Sequence, residues 1–466
     1  MTTINKDDHG LKDFWVTEES ENETSIDLTV VPKKANRACN KCGSLYTYVK
    51  ENRTMHYRDV HYKGKFCGLQ IKHTRYQCKD CGTTFRQGFP DLCSTHKLTT
   101  RLEKEIFSAC DIMPFETVSK RYSINKTTIA SVFNEYSDRL EKCYILKTPR
   151  VLGLDECHLA RKARVVLVDN YPEDKSKAKL LEMGENTKLE TVKGLLEKFK
   201  DPEIIEVVTI DMAKGYKSAV EEVLPNAKIV IDKFHVTQYI IKAAGSTYSK
   251  VREELERSWD GLSSEERKEN LKNLRRIKLS IHLFRKNVED LTSTDRSRLA
   301  AALKIHPEFG KIIAIKEEFR KIYYPSHSRT EAEKLFKRWV GSIPVDSNYD
   351  GFRDSVKMIN RWFNEIFNYF DYPYTNAATE AKNGVLKAIN RAGRGYSFPV
   401  IRKKALFQSQ KQESPKYERT SVYYLVNFSE KPEQGMLLTD LGKYASELER
   451  TMEIFELEMK DRQFEK

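Results

Sequence analysis

A chain of 466 residues is long enough for several domains, and 39% hydrophobic residues, with 23 tyrosines and 22 phenylalanines, supply bulk for real cores. The net charge of +13, from 81 Lys and Arg against 68 Asp and Glu, points to a polyanionic partner, since each neutralised phosphate releases condensed counterions; a merely soluble basic protein is the bland alternative. No apolar run approaches the ~18 residues that span a bilayer, and the N-terminus lacks the basic-then-apolar order of a secretory signal. With nine cysteines and no export signal, a reducing cytoplasm is the expected compartment, with no membrane partner.

Residues 1–36 are acidic, with Asp7, Asp8, Asp13, Glu18, Glu19, Glu21, Glu23 and Asp27 against Lys6 and Lys12, and read as a flexible leader. Residues 37–95 form a compact cysteine-bearing module with strand-like stretches at Tyr46-Thr47-Tyr48-Val49 and Gln70-Ile71-Lys72. In it, Cys39-x-x-Cys42 and Cys78-x-x-Cys81 are each followed directly by glycine, Gly43 and Gly82. Two residues between thiolates let a tight knuckle set both sulfurs on one ion, and two knuckles complete a tetrahedral site. The reading is a zinc ribbon with structural Zn²⁺, because a closed four-sulfur site leaves no open position for chemistry. Buried thiols or redox pairs are the alternative, although a redox pair would not need two copies.

Residues 98–142 read as a helix-turn-helix DNA-binding domain. Leu102, Ile106 and Phe107 share a face, Val118 and Tyr122 belong to a short second helix, and Ser123-Ile124-Asn125 forms the turn. Ile129, Val132, Phe133, Tyr136 and Leu140 make the apolar stripe of a third helix. Asn125, Lys126, Thr127 and Thr128 at its start are the kind of polar residues that contact base edges. A helical linker with a solvated face is the plain alternative.

Strands and helices alternate over 149–240, which suggests an α/β core. Val151-Leu152-Gly153-Leu154-Asp155 and the run from Glu203 to Asp211 each end in a carboxylate, with Val165-Val166-Leu167-Val168 a hairpin partner for the first. If the two strands are neighbours, Asp155 and Asp211 come together at a sheet edge, which is costly unless a cation binds. Residues 241–375 are helical and highly charged. In residues 376–407, Asn376 is a candidate N-cap for a helix from Ala377. Spacing puts Glu380, Asn383, Gly384, Lys387 and Arg391 on one face of it, with Val385, Leu386 and Ile389 on the opposite, buried face. Two Mg²⁺ or Mn²⁺ ions held by Asp155, Asp211 and Glu380 would stabilise the attacking and leaving oxygens of an in-line displacement. From spacing alone this trio is one of many that 68 acidic residues could make. Residues 408–466 read as a charged helical tail.

The ordered set resembles the ISL-three-like group of bacterial insertion-sequence transposases over most of residues 37–407. It comprises the two knuckles, the helix-turn-helix, Gly153-Leu154-Asp155-Glu156, Thr209 to Tyr216, and the Glu380 segment running into Gly395-Tyr396-Ser397-Phe398. The resemblance implies a multidomain α/β protein with a ribonuclease-H-like catalytic core, interrupted by the helical block 241–375 as an insertion. It implies Asp155, Asp211 and Glu380 as metal ligands, and it alone selects Glu380 over Glu365 or Asp371. Related transposases carry an acidic-or-Cys, two-residue, His motif after the second aspartate, so Asp232 and His235 are supporting candidates, with a satisfied structural pair as the alternative. The expected activity is cleavage at the element's terminal repeats and joining of 3′-hydroxyl ends to target DNA. That implies double-stranded DNA partners and at least a dimer in the synaptic complex. Lys387, Arg391, Arg394, Arg402, Lys403 and Lys404 are expected to track phosphates. A DNA-binding regulator on the same scaffold, or a metal-dependent nuclease that never joins, are the rival readings.

Overall fold

Alternation of apolar and polar residues builds the first sheet, seen in a computed structural model that describes residues 9–34, 37–170, 178–259, 261–305, 308–323 and 327–408. The expected C-terminal tail lies outside the described residues from 409 onward. Strands β1 (Phe14–Glu21), β2 (Ser25–Pro32), β3 (Thr47–Tyr62) and β4 (Lys65–Cys78) are ordered β1-β2-β4-β3, and β5 (Thr84–Arg86) pairs with β4. Residues 14–32 are therefore sheet, and the expectation of a flexible leader fails over them. Phe14, Ile26, Leu28, Leu69 and Ile71 are fully buried, while Glu18, Glu19 and Glu21 stay exposed. The acidic residues avoid the core face, and a charge count averages over an alternation of period two.

Helices α1 (Thr100–Ile112), α2 (Phe115–Tyr122) and α3 (Lys126–Cys143) follow as expected. Ser123, in a left-handed conformation at φ 50°, turns the chain between α2 and α3. The Asn125 side chain caps α3 by accepting from Thr127 N–H at 3.0 Å. Leu102, Ile106, Val118, Ile129, Val132 and Phe133 bury their side chains together. This trio is tied to the first sheet. Buried Asp59 on β3 accepts from Thr99 Oγ1 at 2.6 Å and Arg101 Nε at 2.7 Å, and Arg58 donates to the carbonyl of Ser123 at 2.5 Å.

The second sheet contains β6 (Val151–Leu159), β7 (Lys162–Asp169), β8 (Lys179–Met183), β9 (Val207–Ile210) and β10 (Lys228–Ile231) in the order β10-β9-β6-β7-β8. β6, β7 and β8 form an antiparallel meander, while β9 runs parallel to β6 and β10 parallel to β9. Helices α4 (Leu189–Leu196) and α5 (Lys214–Val223) connect these strands. The chain then runs through α6 (Lys233–Arg257), α7 (Ser264–Arg285), α8 (Ser293–Ile305), α9 (Glu308–Ile322), α10 (Arg329–Ser342), α11 (Asp350–Arg361) and α12 (Phe363–Phe367). One apolar core extends from Leu152, Val208 and Ile210 through Ile240 and Tyr248 to Phe309, Trp339 and Trp362. The helical block thus shares its core with the sheet, and α6 starts directly after β10, before the expected boundary at 241. Helices α13 (Ala377–Gly393) and α14 (Phe398–Gln408) return the chain to the sheet. No helix among the described residues is long and apolar enough to cross a membrane.

Candidate functional site

Two clusters of metal-binding side chains occur among the described residues. In the first, the ligand atoms of Cys39, Cys42, Cys78 and Cys81 lie within 4.8 Å of one another, with Cys39–Cys81 Sγ atoms at 3.5 Å and Cys42–Cys78 at 3.6 Å. The local cause is two equivalent knuckles. Gly43 and Gly82 adopt φ +74° and +71°, and their N–H groups donate to the carbonyls of Cys39 and Cys78 at 2.9 and 3.1 Å. Among the described residues the buried side chains clustered here are Cys39, Tyr76, Cys78 and Phe85, a small core for the tip. Chelation is therefore expected to raise amide exchange over residues 39–46 and 78–86 while α1–α3 keep their protection. Uniform protection with and without chelator would overturn this.

The second centre begins with register. Leu152 lies opposite Val208 and Gly153 opposite Thr209, so two residues further along both strands Asp155 and Asp211 follow as neighbours. On the other side Ile210 pairs with Ile231, so Asp232 directly follows the strand beside Asp211. Three carboxylates thus end up at one edge, and no Lys or Arg among the described residues forms an ion pair with them. Burial pushes the Asp155 carboxyl up to about 6, and the nearby Asp211 charge adds to the rise. Burial also raises Asp211 and Glu380, the latter with the Asp232 charge contributing. Asp155 accepts from Glu156 N–H at 2.8 Å and Asn383 Nδ2 at 2.9 Å, which fixes its plane.

Helix α13 brings Glu380 to this edge. The three ligand atoms that lie within 4.8 Å of one another here are those of Asp232, His235 and Glu380. Asp155, Asp211 and Glu380 do not by themselves make so tight a group; α13 packs along β6 and β7, and its N-terminus meets Asp232. Its anchor is a buried polar chain that spacing did not reveal. Asn170 donates to Thr209 Oγ1 at 2.8 Å and to the Thr375 carbonyl at 2.6 Å, Thr209 donates to Asn376 Oδ1 at 3.1 Å, and Asn376 N–H reaches Asp232 at 3.3 Å. Asn376 occupies the N-cap position, but its side chain is committed to Thr209 and does not cap α13. A buried threonine in an otherwise apolar strand, two residues before Asp211, was the available signal. The expected faces of α13 also need correction. Thr379, Asn383 and Leu386 are buried, whereas Val385 is half exposed, because the sheet touches the side carrying Asn383. The competing acids are accounted for elsewhere: Glu365 pairs with Lys217, and Asp371 pairs with Arg329 at 2.9 Å.

The basic segment divides in two. Lys387, Arg391 and Arg394 are exposed, as are Asn125, Lys126 and Thr127, with Thr128 half-buried. Arg402, Lys403 and Lys404 do not track an external phosphate. Arg402 holds Glu182 at 2.7 Å and Glu141 at 2.5 Å, Lys403 holds Asp138 at 2.5 Å, and buried Lys404 donates to the carbonyls of Cys110 and Met113. They bind α14 to α1, α3 and β8, and partners that distant in sequence leave no local trace. Arg402→Met should cost about 2–3 kcal/mol in denaturant unfolding, since buried Glu182 would lose its two guanidinium contacts and keep the Met183 N–H at 2.8 Å and Lys198 at 3.6 Å. Arg391→Ala should leave stability unchanged and lower the salt slope of DNA binding by about one. The reverse pattern would overturn the assignment.

The transposase family of the ISL3 group matches residues 152–404, more than half the chain, running from β6 into α14. The chain is also similar to the transposase for insertion sequence element IS1001 of Bordetella parapertussis, at 19% identity over 381 residues, covering 80% of this chain and 88% of that one. The match takes in both strand-end aspartates, Asp232, His235 and the Glu380 helix, and the chain belongs to the ISL3 transposase family.

Proposed function

We propose that this transposase binds the terminal repeats of an insertion sequence, cuts phosphodiester bonds at its ends and joins the freed 3′-hydroxyls to target DNA. The carrying observation is the in-register placement of buried Asp155 and half-buried Asp211, neither paired with a Lys or Arg among the described residues, beneath the helix that bears Glu380. The meander followed by two parallel strands supports a ribonuclease-H-like reading of the second sheet. The all-oxygen set of Asp155 and Asp211 fits Mg²⁺ or Mn²⁺, and the four sulfurs at the knuckles fit Zn²⁺. Divalent ions held there would supply charge stabilisation to the attacking and leaving oxygens.

The chain's own residues do the rest. Asn383 holds Asp155 in one orientation, and Ala213 N–H, donating at 3.2 Å, holds Asp211. Exposed Lys387, Arg391 and Arg394 line the approach with positive charge, and the start of α3 offers Asn125, Lys126, Thr127 and Thr128 to base edges. Joining needs two element ends together, so a dimer or larger assembly forms on DNA. The test incubates the protein with labelled element ends, target DNA and Mg²⁺ or Mn²⁺. Metal-dependent cleavage followed by joined product is expected. Cleavage without joining would favour a nuclease, and binding without any cleavage a regulator.

A further inference from the structure

Asp232, His235 and Glu380 converge from two helix starts. Asp232 caps α6, His235 lies in its first turn, and Glu380 lies in the first turn of α13. One ligand atom from each lies within 4.8 Å of the others. Asp232 is held from two sides, accepting from Phe234 N–H at 3.0 Å and from Asn376 N–H at 3.3 Å. A structural Asp–His pair would close this space with a hydrogen bond between ring and carboxylate. Here none forms, and the buried His235 Nε2 has no hydrogen-bond partner at all. A buried acceptor or donor left open is costly. The buried Asp232 carboxylate, without an ion pair beside it, adds to that cost, while Glu380 stays open to solvent.

We propose that Asp232, His235 and Glu380 form a centre for a divalent first-row transition-metal ion, distinct in chemistry from the all-oxygen Asp155–Asp211 pair. Imidazole nitrogen suits such ions, whereas Mg²⁺ takes oxygen ligands and keeps its waters. The mixed nitrogen and oxygen set therefore discriminates against Mg²⁺. The inference rests on the metal-dependent reading through Glu380, which both share.

The probe is Mn²⁺, added to the full-length, zinc-loaded protein and observed by pulsed electron paramagnetic resonance. The expected result is a bound Mn²⁺ with nitrogen coupling from one imidazole. His235→Gln should abolish that coupling and weaken this Mn²⁺ by about tenfold or more, while Mg²⁺ affinity stays within about twofold. Zinc content and melting temperature check that the variant folds, and His235→Asn serves as a second variant. Coupling that persists in both variants, or equal losses for Mn²⁺ and Mg²⁺, would overturn the centre. Bound Mn²⁺ without nitrogen coupling would also overturn it, and leave the cleavage reading standing if Asp155→Asn still blocks metal-dependent cutting. Nitrogen-coupled Mn²⁺ in a protein that cuts no DNA would support the centre and sink the catalytic reading.

Discussion

Asp155→Asn will abolish metal-dependent cleavage and, without metal, make the protein more stable at pH 8. On the proposed reading of Asp155 as a metal ligand, its loss would remove several kcal/mol of charge stabilisation, on the order of a 10³-fold fall in rate or more. The stability gain comes from burial. The Asp155 carboxyl is shifted from 3.8 to about 6, so it favours the fold when protonated. That contribution is complete below pH 3.8 and is lost as pH rises through about 6. At pH 8 the wild type carries the whole penalty, on the order of 2–3 kcal/mol, and the neutral amide carries none. The replacement can keep its hydrogen bonds. Its Oδ1 can accept from Glu156 N–H, and its amide can donate to Asn383 Oδ1, an atom otherwise without a partner, once that side chain flips. Melting temperatures from pH 3 to pH 8 should coincide below pH 3.8, diverge as the pH rises from there and differ fully above about pH 6. A variant that melts lower at pH 8, or that still cuts, would refute the assignment of Asp155.

Gly153→Ala will displace the Glu380 helix. An added Cβ would collide with Thr379 Oγ1 and stand 3.1 Å from Asn376 Oδ1; both residues are fully buried, and Asn376 belongs to the hydrogen-bonded anchor. Overpacking of this kind costs about 1–3 kcal/mol, and a shift near 1 Å at a ligand costs about 10²-fold in rate. Thr379→Ala alone should be mild, since its hydroxyl has no hydrogen-bond partner, and it should partly restore both the stability and the cutting of Gly153→Ala. Absence of that rescue would show that α13 is not held through this contact.

Both predictions depend on features that differ in how well local sequence encodes them. The cysteine knuckles were legible because thiolate spacing and a following glycine fix a turn within five residues. Asp155 and Asp211 were legible because a short apolar run ending in a carboxylate needs no distant partner to be noticed, and the stripe of α3 repeats within a few turns. The strands β1 and β2 were hidden because net charge masks an alternation whose apolar half, Phe14, Val16, Ile26 and Leu28, faces inward. Arg402, Lys403 and Lys404 looked like a phosphate track until their partners on α1, α3 and β8 appeared.

Sequence by itself determined the elements and the chemistry on offer: four thiolates in two knuckles, two strand-end aspartates and a helix that begins near Glu380. Tertiary structure alone decided which groups meet. It paired Glu365 with Lys217 and Asp371 with Arg329, turned Asn383 toward Asp155, and set Glu380 beside Asp232 and His235. The reason is range. Periodicity and capping act over a few residues, whereas these contacts join positions from 42 to 228 residues apart, brought together by strand register and a glycine that lets one helix reach the sheet.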